Sequence, residues 1–191
     1  MLRSFIAIEL PGEIQEAIAR STASLQKALP KPLVRWVVTK NVHLTLKFLG
    51  DVSPANLELL AEALKVEAEQ HERFGMSLGG LGAFPNVRRA RVIWIGLEAP
   101  PGLAMLQRCV EGVATRLGYP AEERPFSPHL TLGRVGQSIS AEEHAKIRRE
   151  LEACQVGQLG SVHVEALHVF KSDLQTSGSI YTHLYKLPLK T

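Results

Sequence analysis

The chain has 191 residues, 45% of them apolar, the composition of an ordinary folded protein built as one domain or two small lobes around a substantial core. Twenty-two Lys and Arg against 19 Asp and Glu leave a net charge of +3, which admits a phosphate-bearing ligand but is too slight to demand a nucleic acid. No stretch approaches the roughly 18 apolar residues of a membrane-spanning helix.

In chain order, Ser4–Leu10 reads as a strand. Its apolar run is cut by Glu9 and Pro11, unlike a secretory leader, so a cytoplasmic protein is expected. A helix follows over Glu13–Leu29, with Ile14, Ala17, Ile18, Leu25 and Leu29 on one stripe, and Pro30 and Pro32 stop it. Leu33–Val38 and His43–Leu49 are strand-like, and Ser53 with Pro54 opens a second helix that reaches Gln70. Phe74–Phe84 and Arg91–Leu97 form two more strands around the Pro85-Asn86 break. A helix runs from the Pro100-Pro101 pair to Leu117, where Gly118 ends it; the polar stretch YPAEERPFSP then leads into a strand at His129. Ser140 caps a helix to Cys154, and Ser161–Phe170 and Ser179–Leu187 supply the last two strands. Cys109 and Cys154 lie far apart in helical stretches, which predicts buried free thiols and a reducing compartment.

One tetrapeptide occurs twice: HLTLKFLG begins at His43 and HLTLGRVG at His129. In a strand, His43 and Thr45 share one face while Leu44 and Leu46 share the other, and His129, Thr131, Leu130 and Leu132 repeat that division. Each copy ends near a glycine and is followed by a serine-capped helix, so the chain reads as two related halves. Strands with one polar and one apolar side predict an α+β fold, in which antiparallel sheets are covered by helices on one face only. Opposing the two open faces would bring both His-x-Thr pairs into one cleft.

Core packing would constrain the leucines without dictating His or Thr, so the repeat marks His43 and His129 as functional. The lone His71, His144, His163, His168 and His183 read as satisfied or surface residues. Two imidazoles aimed at one point can divide the work of base and acid near neutral pH, which suits phosphodiester cleavage without metal. Metal binding is the competing account, but no H-x-x-x-H, C-x-x-C or acidic cluster adjoins either copy, so neither metal nor cofactor is expected. Gly79-Gly80-Leu81-Gly82 lacks the dinucleotide-binding spacing and reads as a flexible strand or turn.

The opening FIAIELP, RWV before the first motif, HLTLKFLG, RVIWIGL, FSPHLTLGR and the closing SGSIYTHLYKLPL together resemble the 2H phosphoesterase superfamily, and within it the RNA 2′,3′-cyclic phosphodiesterases, also called 2′-5′ RNA ligases. The resemblance spans nearly the whole chain. It implies one two-lobed, pseudo-twofold α+β domain over residues 1–191, with an active-site cleft between the lobes. It also implies metal-independent hydrolysis of a 2′,3′-cyclic phosphate, on RNA ends or small cyclic nucleotides, to a 2′-phosphate. His43 would be the acid toward the 3′ oxygen and His129 the base toward water, with Thr45 and Thr131 orienting phosphate oxygens. Ligation to a 5′-hydroxyl and non-catalytic RNA binding are the alternatives, and a monomer with no membrane partner is expected.

The family pattern H-x-T-x-x-R places a phosphate-binding cation at Arg134, yet strict alternation puts Arg134 on the leucine face, so a twist or bulge is needed and Gly133 suits one. Lys47 has the parity of His43 and Thr45 and points either to ligand or to solvent. Trp36 and Tyr181 are open candidates for base stacking; Phe48 shares parity with Leu44 and Leu46 and is expected in the core. Arg88, Arg89 and Arg91 read as a solvated strand connection.

Overall fold

The computed structural model describes residues 1–175 and 178–191. Ser177, first residue of the closing SGSIYTHLYKLPL stretch, lies outside them. The strands are β1 (Leu2–Ile8), β2 (Val34–Trp36), β3 (Leu44–Val52), β4 (Phe74–Phe84), β5 (Val92–Glu98), β6 (Leu130–Val135), β7 (Gln158–Val164), β8 (Ala166–Gln175) and β9 (Gly178–Pro188). The helices are α1 (Gly12–Ala28), α2 (Pro54–Ala68), α3 (Pro101–Arg116) and α4 (Ala141–Ala153). All named strands join one antiparallel sheet in the order β7-β4-β5-β6-β3-β1-β8-β9, with β2 paired to the free end of β6.

At the centre, β3 and β6 meet through a single residue pair, Leu44 opposite Leu130. On either side lie two equivalent half-sheets, β3-β1-β8-β9 and β6-β5-β4-β7. An antiparallel pair has a local twofold axis, so the two HLTL motifs are related by rotation about the Leu44–Leu130 pair. His43 and His129 each stand one residue before the paired leucine, so the pair brings the two motifs together at the centre of the sheet.

The helices cover the leucine face. Ile14, Ile18 and Leu25 of α1, Leu57, Leu60 and Leu64 of α2, Leu106 and Val110 of α3 and Ile147 of α4 share one core with Ile6, Ile8, Leu44, Leu46, Ile93, Ile95, Leu130 and Leu132. Each such side chain, fully buried, contributes about 1.5–3 kcal/mol. The serine caps form as the sequence indicates: Ser53 Oγ accepts from the Asn56 amide at 3.2 Å. Ser140 Oγ accepts from the Glu143 amide at 3.2 Å while its own amide donates to the Glu143 carboxylate at 2.6 Å, a reciprocal capping box. Cys109 and Cys154 are free thiols, half-buried and not fully buried as expected.

One expected strand is two. Ser161–Phe170 divides at the exposed Glu165, with β7 pairing β4 in one half-sheet and β8 pairing β1 in the other. Val164 and Ala166, on either side of Glu165, are both buried, so the alternation runs unbroken through the residue at which the chain changes half-sheet.

The departure that matters most lies inside the motifs. Along β3, Ile6 faces Lys47 and Ala7 faces Thr45, leaving Leu46 as an extra residue. Along β6, Ile93 faces Gly133 and Trp94 faces Thr131, leaving Leu132 extra. The fourth residue of each HLTL is therefore a bulge, and it shifts the alternation by one. Leu46 and Lys47 both turn to the core, with Lys47 only 6% exposed, and Phe48 turns to the open face, 63% exposed. Phe48 is thus not a core residue, nor is Lys47 solvated or cleft-facing. The expectations failed because both counted parity straight through the bulge.

Candidate active site

Both histidines stand immediately before their strands, at Val42-His43-Leu44 and Pro128-His129-Leu130, and both are tied by the same bond. His43 Nδ1 lies 2.7 Å from the Asn41 carbonyl oxygen and His129 Nδ1 lies 2.8 Å from that of Ser127, two residues back in each case. A carbonyl only accepts, so Nδ1 carries the proton and donates it. Nε2 is left as the nitrogen able to take or give a proton.

Their surroundings differ. The Phe5 ring stacks on His43 with centroids 4.7 Å apart, and Tyr181 meets it edge-on at 5.3 Å. Phe170 continues the stack behind Phe5 at 5.3 Å. Burial in this aromatic wall pushes the His43 imidazole down to about 4, against the opposing pull of the Asn41 carbonyl. Phe84 meets His129 edge-on at 4.8 Å. Beside it Trp94, opposite Thr131, lies over Gly82 of β4; a methyl group on Gly82 would collide with the indole ring, so glycine is required there.

The register also settles the direction of Arg134. In β5, Ile93 and Ile95 are fully buried, so Val92 and Trp94 occupy the opposite face. Thr131 pairs with Trp94 and Arg134 pairs with Val92, so threonine and arginine share the open face despite their odd spacing. Gly133 makes this possible: a Cβ there would lie 2.8 Å from Val34 Cγ1 and 2.9 Å from Trp36 Cε3. Trp36 packs against that strand and donates its indole N–H to the Leu29 carbonyl at 2.8 Å, so its ring is a structural brace. Lys47, the counterpart of Gly133, reaches the other way, 2.6 Å from Glu111 Oε1 and 2.6 Å from the Pro120 carbonyl oxygen. Glu111 Oε1 also accepts from the Glu122 amide at 2.8 Å, so this lysine ties the histidine strand of one motif to the loop that leads into the other.

Thr45, Thr131 and Arg134 thus lie on the open face of the sheet, with His43 and His129 one residue before their strands and Tyr181 beside His43. The sequence reading missed Phe5 and Phe170, and it passed over His168 and His183 as isolated. His168 is buried on β8 with its Nδ1 2.8 Å from His183 Nε2. Burial, with the charges of His183 and Lys186, pushes His168 down to about 4. The available signal was β1, whose FIAI run is apolar on both faces next to the histidine strand. A cavity of about 550 Å³ opens beside His43, lined among others by Glu9, Lys40, Asn41, Phe170, Tyr181 and His183. Among the described residues no three His, Cys, Asp or Glu side chains converge in a way that could hold a metal ion, and no helix is long and apolar enough to cross a membrane.

Two tautomer-fixed imidazoles on a pseudo-twofold antiparallel sheet, each with a threonine beside it, are the arrangement of a two-histidine phosphoesterase. The family described as LigT like Phosphoesterase matches the chain twice, over residues 8–94 and 95–181, and the chain belongs to it. It is 33% identical over 183 residues to the RNA 2′,3′-cyclic phosphodiesterase of Methanothermobacter thermautotrophicus, covering 96% of both chains. It is 35% identical over 155 residues to that of Aeropyrum pernix, covering 81% of this chain and 85% of the other. The crystal structure of E. coli LigT complexed with 3′-AMP superposes with a TM-score of 0.76 at 30% identity, covering 100% of this chain and 99% of that one.

Proposed function

We propose that residues 1–191 act as one two-lobed RNA 2′,3′-cyclic phosphodiesterase. In this reading His43 and His129 hydrolyse the cyclic phosphate of an RNA end or small cyclic nucleotide to a 2′-phosphate without a metal. The names of the relatives support the substrate. The observation that carries the mechanism is the pair of Nδ1–carbonyl bonds, which leaves both Nε2 atoms ready for proton transfer. His129 takes a proton from water as it attacks phosphorus. His43 gives a proton to the departing 3′ oxygen, and the P–O3′ bond breaks. Thr45, Thr131 and Arg134 hold the non-bridging oxygens as charge gathers on them. Each proton transfer is worth about 10²–10⁴-fold.

An imidazole at about 4 is neutral at pH 7, so free His43 is not yet an acid. A phosphate monoanion about 4 Å away favours its protonated form by about 4 kcal/mol at an effective dielectric of 20, equivalent to about three pKa units. The substrate thereby arms its own acid.

The test is incubation of purified protein with RNA ending in a 2′,3′-cyclic phosphate, with and without a 5′-hydroxyl RNA and after exhaustive chelation. A 2′-phosphate formed in EDTA is expected. A 3′-phosphate would overturn the leaving-group assignment, and loss of turnover restored by zinc or manganese would overturn the metal-free mechanism. Tight binding with no product would make the chain an RNA-binding module.

A further inference from the structure

Arg134 has an unexpected neighbour. In the β2–β6 ladder, Val34 faces Val135, Trp36 faces Gly133, and Arg35 faces Arg134. Val34 and Gly133 are buried while both arginines are exposed, so the guanidinium groups leave the sheet together on the open face. Directly opposed residues hold their Cβ atoms about 4.5–5.5 Å apart, and like charges so placed are destabilising. Nothing in the fold offsets the repulsion: among the described residues neither arginine has a carboxylate within ion-pair distance, and the neighbour of Arg134 on its other side is Val92. Arg88, Arg89 and Arg91 follow along the same margin, the Arg91 carbonyl accepting from the Val135 amide at 3.0 Å, and they too lack acidic partners among the described residues.

We infer that Arg35 binds a second phosphate of the substrate, so that the preferred ligand is a cyclic-phosphate end carrying an internucleotide or 5′-terminal phosphate rather than a nucleoside cyclic phosphate alone. The inference rests on the proposed reaction, which assigns Arg134 to the reacting group. One phosphate engages Arg134. A second, one linkage along the same molecule, falls to the arginine held at its side by the β2–β6 register. Guanidinium forks suit phosphate oxygens, and a doubly charged ligand relieves the repulsion that the empty site carries. The absence of any carboxylate partner for either arginine among the described residues leaves both forks free for this purpose.

Three substrates test it at low salt: a nucleoside 2′,3′-cyclic phosphate, the same compound with a 5′-phosphate, and a dinucleotide ending in the cyclic phosphate. The wild-type kcat/KM should favour the last two by about tenfold or more, the size of one charge-assisted contact. Arg35→Gln should lower those two at least tenfold more than it lowers the first, and Arg35→Lys should recover part of the difference. A methylphosphonate in the dinucleotide linkage should cost the wild type as much as Arg35→Gln costs on the natural linkage, and the two losses should not add. Preference for the dinucleotide but not the 5′-phosphate assigns the position to the internucleotide group. Because a repulsive neighbour is removed, the thermal midpoint of Arg35→Gln at low salt should hold or rise. Equal losses on all three substrates would place Arg35 on the reacting phosphate and overturn the inference, as would no loss on any. Failure of the hydrolytic reading itself is separated by calorimetric binding of a nucleoside 2′-phosphate against its 2′,5′-bisphosphate. Tighter binding of the bisphosphate, lost in Arg35→Gln, would uphold the second-phosphate position without turnover, and equal binding would reject it.

Discussion

Around His43 the open face carries Phe48, Phe5 and Phe170 in one cross-strand row and Thr45, Ala7 and His168 in the next. Around His129 the matching rows are Arg134, Val92 and Phe84, then Thr131, Trp94 and Gly82. The backbones agree closely: the same bulge, the same Nδ1–carbonyl bond, the same strand pairing. The side chains diverge beyond the bulged leucine and on the neighbouring strand, Phe48 against Arg134, Lys47 against Gly133, Ala7 against Trp94. A twofold frame thus places two imidazoles symmetrically, and the unsymmetrical filling gives one an apolar, desolvated setting and the other a cationic one. That asymmetry matches a ligand with a sugar and base on one side of a charged phosphorus.

The sharpest way to break this comparison is to remove each histidine in turn. His43→Ala and His129→Ala should each lose about 10²–10⁴-fold or more in kcat on a natural cyclic phosphate. A substrate with sulphur at the bridging 3′ position needs no protonated leaving group, so it should largely rescue His43→Ala and not His129→Ala. Rescue of the opposite variant would exchange the two roles.

Lys47 and Arg134 come next, since both owe their direction to the bulge. Lys47→Met leaves the Glu111 carboxylate short of its partner and frees the loop before His129. Breaking a buried pair costs about 3–5 kcal/mol, and the partial exposure of Glu111 puts the expected loss at about 3, read from urea unfolding. An unchanged midpoint would mean that the pair contributes nothing net. Arg134→Gln should lower kcat/KM about 10²-fold, the scale of one charge-stabilising donor, and Arg134→Lys should restore part of it. Normal kinetics at low and high salt would remove Arg134 from the site.

These two residues also show where sequence reading reached its limit. Periodicity and capping revealed the α+β order, the helix stripes of α1 and α2, and the His-x-Thr pairs, because each is local and repeats over several residues. A bulge is set by the partner strand: nothing within LTLKF marks Leu46 as extra, so Phe48 and Lys47 were assigned to the wrong sides. Gly133 alone hinted at the matching bulge in β6. The split at Glu165 was hidden for the same reason, since the alternation of Val162, Val164 and Ala166 runs on unbroken while the chain changes its partner half-sheet. Arg35, His168 and His183 gained meaning only from cross-strand register.

The comparison extends to acid stability. His43 and His168, both in the half-sheet around β1, are held at about 4 when folded and return to about 6.5 when unfolded. Between those values the unfolded chain binds more protons, so stability is full above about 6.5 and is lost as pH falls toward 4. The slope approaches 1.4 kcal/mol per pH unit for each imidazole, or about 3 kcal/mol in all between pH 7.5 and 5.5. His168→Gln should flatten it by up to one proton in urea titrations at the two pH values. A slope unaffected by that change would show that His168 is not held neutral by the fold.

The smallest effect concerns the threonines, where the frame is most symmetrical. If the register runs one residue beyond the Leu44–Leu130 pair, Thr131 stands beside His43 and Thr45 beside His129, and each hydroxyl serves the histidine of the other motif. Thr45→Val and Thr131→Val keep the branched shape that a strand favours and remove one donor to a phosphate oxygen. A hydrogen bond to a charged group is worth about 1.5–3 kcal/mol, so each variant should lose about tenfold in kcat, with urea midpoints unchanged. Cross-motif pairing makes a further demand. Thr131→Val combined with His43→Ala should lose less than the two separate effects predict, whereas Thr131→Val combined with His129→Ala should come nearer to additivity. Coupling within each motif instead would mean that the half-sheets diverge at once beyond Leu44 and Leu130, and unchanged kinetics in both single variants would reduce the threonines to strand formers.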